Sequence, residues 1–347
     1  MSATAVVTDV VNGLSGIGQI DGPPDDNRRQ RRAIAKLLGV PAAAPSRILP
    51  LTGGMTNTCY TFELDGRRYV LRLPGLGTEN IIDRKGERRA YKKLRPHNLT
   101  DEVIALDKRG RRVTVFHEDA RVADVFDDAD LATAMSLVRR LHALDLALPQ
   151  RFDMAGQIAR YERLCAEIPP APYPRLERQR RWAARLLRFR RQLAVPEVFC
   201  HGDMACDNVL ILGDGGSRLI DWEYSGRADP IMDVAMCGMY SFMPRERLEL
   251  ALRLYLERPA RAEETARLYL YLALSGYLWS LWAHYKTHAG EDYGDYGPKT
   301  NAYMLQYYPL LADSDLMGRA LAERAALAAG GAAGSGYAAD DVRGAAA

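Results

Sequence analysis

The sequence predicts an α+β chain of two lobes, a small β-rich N-terminal lobe followed by a larger helical one. Three observations predict it. Strand-like runs joined by tight turns fill residues 46–116, runs with helical spacing fill most of the chain after His117, and 347 residues suit two cores better than one.

Residues 1–28 end in the turn-rich stretch Asp21-Gly22-Pro23-Pro24-Asp25-Asp26-Asn27 and are read as flexible. A helix is expected over Arg29–Leu38, and Ser46–Leu51 reads as a strand running into Gly53-Gly54. Thr58–Leu64 and Arg67–Leu73 flank Asp65-Gly66, a two-residue hairpin signal because both residue types tolerate positive φ. Glu79–Leu94 reads as a helix with Ile81, Ile82, Tyr91 and Leu94 on one face, and Glu102–Asp107 and Arg112–Phe116 as a second hairpin around Lys108-Arg109-Gly110. Helices are then expected over Asp127–Leu144, Phe152–Ile168, Arg175–Leu193, Arg245–Glu257 and Ala262–His284. One hairpin interrupts them, Val209–Leu212 with Arg218–Asp221, turning at Gly213-Asp214-Gly215-Gly216. The predicted domains are a flexible segment (1–28), an N-lobe (29–116), a linker with a helical C-lobe (117–325) and an Ala/Gly-rich disordered tail (326–347), with ligands expected in the cleft between lobes.

Composition narrows the class. A net charge of +3 on 91 charged residues gives no general argument for nucleic acid or an acidic membrane surface. Leu268–Ala283 is apolar but short of a span and interrupted by Ser275, Gly276 and Ser280, so it reads as a buried helix without membrane insertion. Five cysteines without a C-x-x-C pair, and no basic, apolar leader, suggest reduced thiols and a cytoplasmic protein. The eight arginines of Arg175–Arg191 accompany Trp182, Leu186, Phe189 and Leu193 at helical spacing, as on a solvated helix packed by one stripe; a membrane-surface or nucleic-acid role is the alternative.

The segment His201-Gly202-Asp203-Met204-Ala205-Cys206-Asp207-Asn208 has the form H-G-D-x-x-x-x-N, and Asp221-Trp222-Glu223-Tyr224 follows thirteen residues after Asn208. Phosphoryl transfer needs a carboxylate near the acceptor hydroxyl and hard oxygen ligands for Mg²⁺. Asp203 suits the first role, Asn208 and Asp221 the second, and the intervening hairpin folds Asp221 back beside Asn208. Each residue alone reads more readily as a turn, cap or strand end than as catalytic; the set in this order points to the chemistry.

These motifs resemble those of the choline/ethanolamine kinase and aminoglycoside phosphotransferase superfamily, most closely its bacterial LicA-type choline kinases, over about residues 45–310. The resemblance implies a bilobal protein-kinase-like fold, ATP as donor and a small hydroxylated amine as acceptor. It implies Asp203 as the catalytic aspartate, Asn208 and Asp221 as magnesium ligands with Glu223 close to a second metal, and Asp233 as a brace for the catalytic loop. Leu51-Thr52-Gly53-Gly54-Met55-Thr56-Asn57-Thr58 is similar to the family's phosphate-binding G-G-x-[ST]-N loop, so Gly53, Gly54, Thr56, Asn57 and Thr58 are expected at the nucleotide. Arg72 would hold the phosphates and Glu87 would pair with it, while the adenine would rest on the linker around Phe116–Asp119, including Glu118.

A permanent cation with methyl groups offers no ordinary hydrogen-bond donors, and aromatic faces are the physical solution. Trp279 and Trp282, three apart on a helix, together with Tyr296, resemble the family's choline pocket; Tyr240 is a further candidate wall. Core packing is the competing reading of these rings. The expected activity is phosphorylation of choline, with ethanolamine, another amino alcohol or an aminoglycoside as alternative acceptors and an inactive homologue as an alternative of another class. The undocked C-terminal sequence disfavours an aminoglycoside. The eleven residues between Asp221 and Asp233 are too few for a protein-kinase activation segment.

Overall fold

The computed structural model describes residues 27–331 apart from 52–56, 76–81, 145, 171–172, 174–175 and 292. In chain order these form α1 (Arg28–Leu38), β1 (Ser46–Leu51), β2 (Thr58–Leu64), β3 (Arg67–Leu73), α2 (Arg84–Leu94), β4 (Val103–Leu106), β5 (Arg112–Val115) and β6 (Arg121–Val122). There follow α3 (Asp128–His142), α4 (Met154–Ala166), α5 (Leu176–Leu193), β7 (Val198–Cys200), β8 (Val209–Ile211), β9 (Ser217–Leu219), β10 (Gly226–Ala228) and α6 (Ile231–Tyr240). The chain continues through α7 (Arg245–Leu256), α8 (Ala262–His288), α9 (Tyr296–Ala312) and α10 (Leu316–Gly331).

Contacts divide the chain into two compact units. Met1–Phe152 with Glu197–Ser241 makes the first, and Asp153–Pro196 with Phe242–Ala347 the second. The boundary expected after residue 116 lies inside the first unit, because the chain returns from 197 to build on its N-terminal part.

In the first unit an antiparallel sheet of order β1-β2-β3-β5-β4 covers a core of Ile34, Ile48, Phe62, Leu71 and Val113. The β2–β3 turn has Asp65 and Gly66 at φ 50° and 75°, the positive pair that a two-residue turn of this hand requires. Both Arg72 and its neighbours Leu71 and Leu73 on β3 are buried, so one strand serves the apolar core and supplies a buried cation. Helix α2 starts at Arg84, later than the sequence suggests, because the Asp83 carboxylate accepts from the Lys85 N–H and sets the cap there. The later part of this unit pairs β7 with β10 and arranges β6-β8-β9.

The second unit is helical. Almost every residue of α8 from Glu263 to Ala283 is buried, as its continuous apolar stretch required. Glu264 accepts from the Arg261 N–H and closes the start of that helix. On α5, Leu186, Phe189 and Leu193 are buried, and Trp182 stacks on Tyr308 at 4.2 Å, so the arginine-rich helix is anchored by one apolar stripe. Helix α10 runs to Gly331, past residue 326, where the tail was expected to begin. Residues 332–347 lie outside the described chain. Among the described residues, no helix is long and apolar enough to cross a membrane.

Candidate active site

All the acid–base and phosphate-type residues described here belong to the first unit. Strand β7 delivers the chain to His201, after which Gly202 takes φ 78° and passes so close to the Tyr224 carbonyl that a side chain there would collide with it. The loop is held from below by Asp233 of α6. Its carboxylate accepts from the His201 N–H at 2.7 Å and the Gly202 N–H at 2.9 Å, and pairs with His142 Nε2 of α3 at 3.0 Å. Burial raises the Asp233 pKa, but the hydrogen bond and charge of His142 and the Gly202 N–H outweigh it and hold the carboxyl below the usual carboxylate range. The brace expected of Asp233 is therefore built from its contacts. Cys200 lies beside His142 and Asp233, but burial pushes its thiol well up, and both Asp233 oxygens are already engaged. That group is a structural brace.

His201 is fully buried. Its Nε2 meets the Ile220 carbonyl at 2.9 Å, and its Nδ1 accepts from the Asp203 N–H at 3.3 Å. This network assigns the neutral tautomer with the proton on Nε2, in keeping with burial lowering its pKa. One ring thus ties the Asp203 loop to the residue preceding Asp221. Asn208 adds a second tie, its Nδ2 donating to the Asp203 carbonyl at 2.8 Å and standing 3.4 Å from Asp203 Oδ2. Burial, reinforced by the charges of Asp221 and Glu223, pushes the Asp203 carboxyl up to about 7, while the Tyr240 hydroxyl and Asn208 pull the other way. A carboxyl near neutrality is matched to proton transfer at physiological pH.

The β8–β9 hairpin returns the chain so that the Ile220 N–H donates to the Asn208 carbonyl at 2.9 Å. Asp221 follows in the left-handed region at φ 67°, a costly conformation for a non-glycine residue. Its Oδ1 is buried and accepts no directed hydrogen bond, although Arg72 Nη2 stands 3.0 Å away. Arg72 also pairs with Glu87 Oε1 at 2.6 Å and, at closer range, with Glu223. Burial acts to raise the Asp221 pKa, but Arg72 and Arg112 overcome it and keep Asp221 below the ordinary range. Glu223 is raised by burial and by the charge on Asp221, against the pull of Arg72 and Arg84.

Two further arginines complete the cluster and were not singled out by the sequence. Arg84 Nη1 reaches Glu87 Oε2 at 2.8 Å and Glu223 Oε2 at 3.0 Å. Arg112, directly opposite Arg72 on β5, lies 3.7 Å from Glu87, 3.8 Å from Asp101 and 3.9 Å from Asp221, over the Tyr91 ring. Positions 72 and 112 meet only through the register between β3 and β5, strands that are not consecutive, so the sequence carried no local signal for this pair.

Asn57 lies between Arg72 and the two acids. With its amide oxygen toward Arg72 it accepts from Nε at 3.1 Å and Nη2 at 2.7 Å. Thr58 is exposed at the start of β2. Gly53, Gly54 and Thr56 lie outside the described residues. In the linker, Arg68 lies over the Phe116 ring at 4.1 Å and pairs with Glu118 at 2.5 Å, and the Phe116 N–H donates to the Arg68 carbonyl.

The residues fit a divalent cation. Asn208 spends its Nδ2 on the loop, which leaves its amide oxygen as the donor, and Asp221 offers an anionic oxygen that lacks a directed partner. Glu87, Asp221 and Glu223 place carboxylate oxygens within 4.8 Å of one another. Glu223, expected beside a metal, has its charge engaged by Arg72 and Arg84.

The rings lie in the second unit. Trp282 meets Trp279 edge-on at 6.0 Å, Tyr296 edge-on at 6.0 Å and Tyr293 at 4.8 Å, and Phe242 meets Tyr296 at 6.1 Å. The structure therefore gathers Trp279, Trp282 and Tyr296 and adds Tyr293 and Phe242. Tyr240 is in the first unit, where it bears on Asp203. Helices α8 and α9 approach closely enough for this clustering because position 276 is glycine: a Cβ there would stand 2.5 Å from the Thr300 carbonyl and 2.7 Å from Tyr303 Cβ.

The chain is similar to known proteins in sequence and in fold. The sequence profile described as the phosphotransferase enzyme family matches residues 47–273. Protein LicA of Haemophilus influenzae is 27% identical over 71% of this chain and 76% of its own. Ethanolamine kinase 2 of Rattus norvegicus is 31% identical over 66% of this chain and 67% of its own. The crystal structure of choline kinase LicA from Streptococcus pneumoniae superposes with a TM-score of 0.71 at 26% identity, covering 82% of this chain and 99% of that one.

Proposed function

Because this chain belongs to the phosphotransferase enzyme family and is a small-molecule kinase of kinase-like fold, we propose that it transfers the γ-phosphoryl group of ATP to the hydroxyl of choline, giving ADP and phosphocholine. The observation that carries the reading is the convergence of Asp203, Asn208 and Asp221 on one end of the β8–β9 hairpin, with Arg72 across from Asp221.

Asp203 orients the acceptor hydroxyl and takes its proton as the oxygen attacks phosphorus. Burial keeps that carboxyl basic enough for the task. Arg72 presents its fork to the phosphates, and Glu87 fixes the fork's direction from α2. His201 and Asn208 hold the Asp203 backbone, so the base is positioned before substrate arrives. Asn57 would meet the phosphates beside Arg72, and Phe116 and Glu118 of the linker would border the adenine. A magnesium ion held by Asn208 and Asp221, with Glu223 near, would offset the negative charge of the triphosphate. Trp279, Trp282 and Tyr296 would enclose the quaternary ammonium by cation–π contact, and Tyr240 would border the acceptor hydroxyl beside Asp203.

Ethanolamine is the second acceptor to weigh, because the rat relative carrying that name is 31% identical. ADP release with magnesium, ATP and choline, ethanolamine, thiamine or kanamycin decides among them. The proposal expects the highest kcat/KM for choline. A higher value for any other acceptor removes the choline assignment, and absence of turnover with all four removes the amino-alcohol reading.

A further inference from the structure

In the first unit a groove of about 1240 Å³ is lined by residues of α1, by residues 73–75 and 82–85, and by the β4–β5 turn. Its described lining carries nine lysines and arginines and a single carboxylate, Asp83. The whole chain has a net charge of only +3, so the residues outside this groove carry a net negative charge, while the groove's described lining is strongly positive.

The concentration is maintained against local preferences. Helix α1 has no acidic residue in its first turn, where the helix dipole favours one, and places Arg28, Arg29 and Arg31 there instead. Arg28, Arg32 and Lys36 follow at four-residue spacing, where like charges repel. Elsewhere in the chain arginines are commonly paired with acids, as in Arg121–Asp130 and Arg258–Glu264. In the groove, Arg29, Arg32, Lys36, Lys85, Lys108 and Arg109 have no ion pair among the described residues, and all six are exposed.

The β4–β5 turn and Arg84 are also fixed in place. Asp107 accepts from the Arg109 and Arg111 N–H groups and from Arg111 Nε, so it shapes the turn that presents Lys108 and Arg109, with its oxygens already occupied. Gly110, at φ 82°, lets Arg84 pack against the turn; a Cβ would stand 2.7 Å from Arg84 Nε. Glu87 and Glu223 hold the other end of Arg84.

We propose that this groove binds a compact soluble anion carrying clustered phosphates, at a site separate from the one that holds the ATP phosphates. Concavity and volume favour a compact ligand over a flat membrane or an extended nucleic acid. Arg72 does not line the groove; Arg84 is the residue shared between the groove and the acid cluster. The inference does not depend on which alcohol is phosphorylated.

The test is calorimetric titration of inorganic tripolyphosphate into the full chain, alone and saturated with magnesium and a non-hydrolysable ATP analogue. Binding to the saturated protein is expected, weakened about tenfold or more in R32E/K108E and unchanged in W282A. Both substituted side chains of the double variant are exposed; if it fails to fold, K85A/R109A carries the same expectation. Loss of binding on saturation with the analogue would assign it to the nucleotide site and overturn the proposal, as would affinity indifferent to both variants. Phosphatidylglycerol vesicles and a single-stranded oligonucleotide form the other arms. Tighter binding of either than of tripolyphosphate, abolished by the same variants, overturns the compact-ligand assignment.

Discussion

Replacing Asp233 by asparagine tests whether the catalytic loop is held by a buried charge. The carboxylate accepts from two buried backbone N–H groups, at 2.7 and 2.9 Å, and from His142 at 3.0 Å. Asparagine keeps one oxygen and turns a donor toward the partners of the other. A buried donor left without an acceptor costs about 1–3 kcal/mol, and more where the acceptor was charged. With at least one orphan and one donor–donor contact, the loss should be about 2–5 kcal/mol, a large part of the roughly 5–15 kcal/mol that holds a protein folded. At a denaturant dependence of roughly 2–3 kcal/mol per molar urea, the midpoint read by tryptophan fluorescence should fall by about 1–2 M. The pH dependence supplies the sharper check. The folded pKa of Asp233 lies below its unfolded value of about 3.9. Its stabilisation is therefore present above that value and lost as pH falls toward the folded value. The difference between native protein and D233N should stay constant from pH 8 to 5 and shrink as the pH drops below about 4. A difference under about 0.5 kcal/mol at pH 7, or one that persists undiminished in acid, would refute the charge-brace argument.

D203N should lower kcat by about 100-fold or more while leaving ATP-analogue affinity within a factor of two or so, since it removes the proton acceptor and keeps the loop bonds; retained turnover takes Asp203 out of its role. Arg72→Lys replaces a fork that serves Glu87, Asp221 and Glu223 with one ammonium. The KM for ATP should rise about tenfold or more with the choline KM little changed, and equal shifts in both would argue for general unfolding of the site. W282A removes the ring that touches Trp279, Tyr293 and Tyr296. At about 0.5–2 kcal/mol per cation–π contact, the choline KM should rise by roughly 2- to 30-fold against a nearly constant ATP KM; parallel rises would identify the ring as core.

The sequence was most legible where the signal is local. Asp65-Gly66 set the hairpin, and the strand limits Thr58–Leu64 and Arg67–Leu73 agree with the structure to the residue. The H-G-D-x-x-x-x-N segment and Asp221 were legible as a set because one short hairpin joins them. The pairing of Arg112 with the same acids was not, since it depends on strand register between β3 and β5. Arg84 reads as an ordinary surface arginine until Gly110 packs against it. Helix α9 was hidden by Gly297 and Pro298 in its first turn and by Pro309 within it, residues that punctuate most sequences but sit here in a helix packed against α8. His142 looked like one of several scattered histidines, and only the tertiary fold brings it to Asp233.

The missing side chain at Gly276 makes the gap between α8 and α9 an adjustable dimension. Trp279 and Trp282 sit one and two turns further along one helix, and Tyr296 opens the other, so added bulk at 276 would wedge the two apart and widen the ring cluster without touching any member of it. With the rings enclosing the acceptor as proposed, the helix spacing set at position 276 also sets the room left for its cationic group. A methyl group at Gly276 would meet the Thr300 carbonyl and Tyr303 Cβ, so it would cost stability as it pushed the helices apart, and the spacing of the rings is tied to the packing of the unit that carries them.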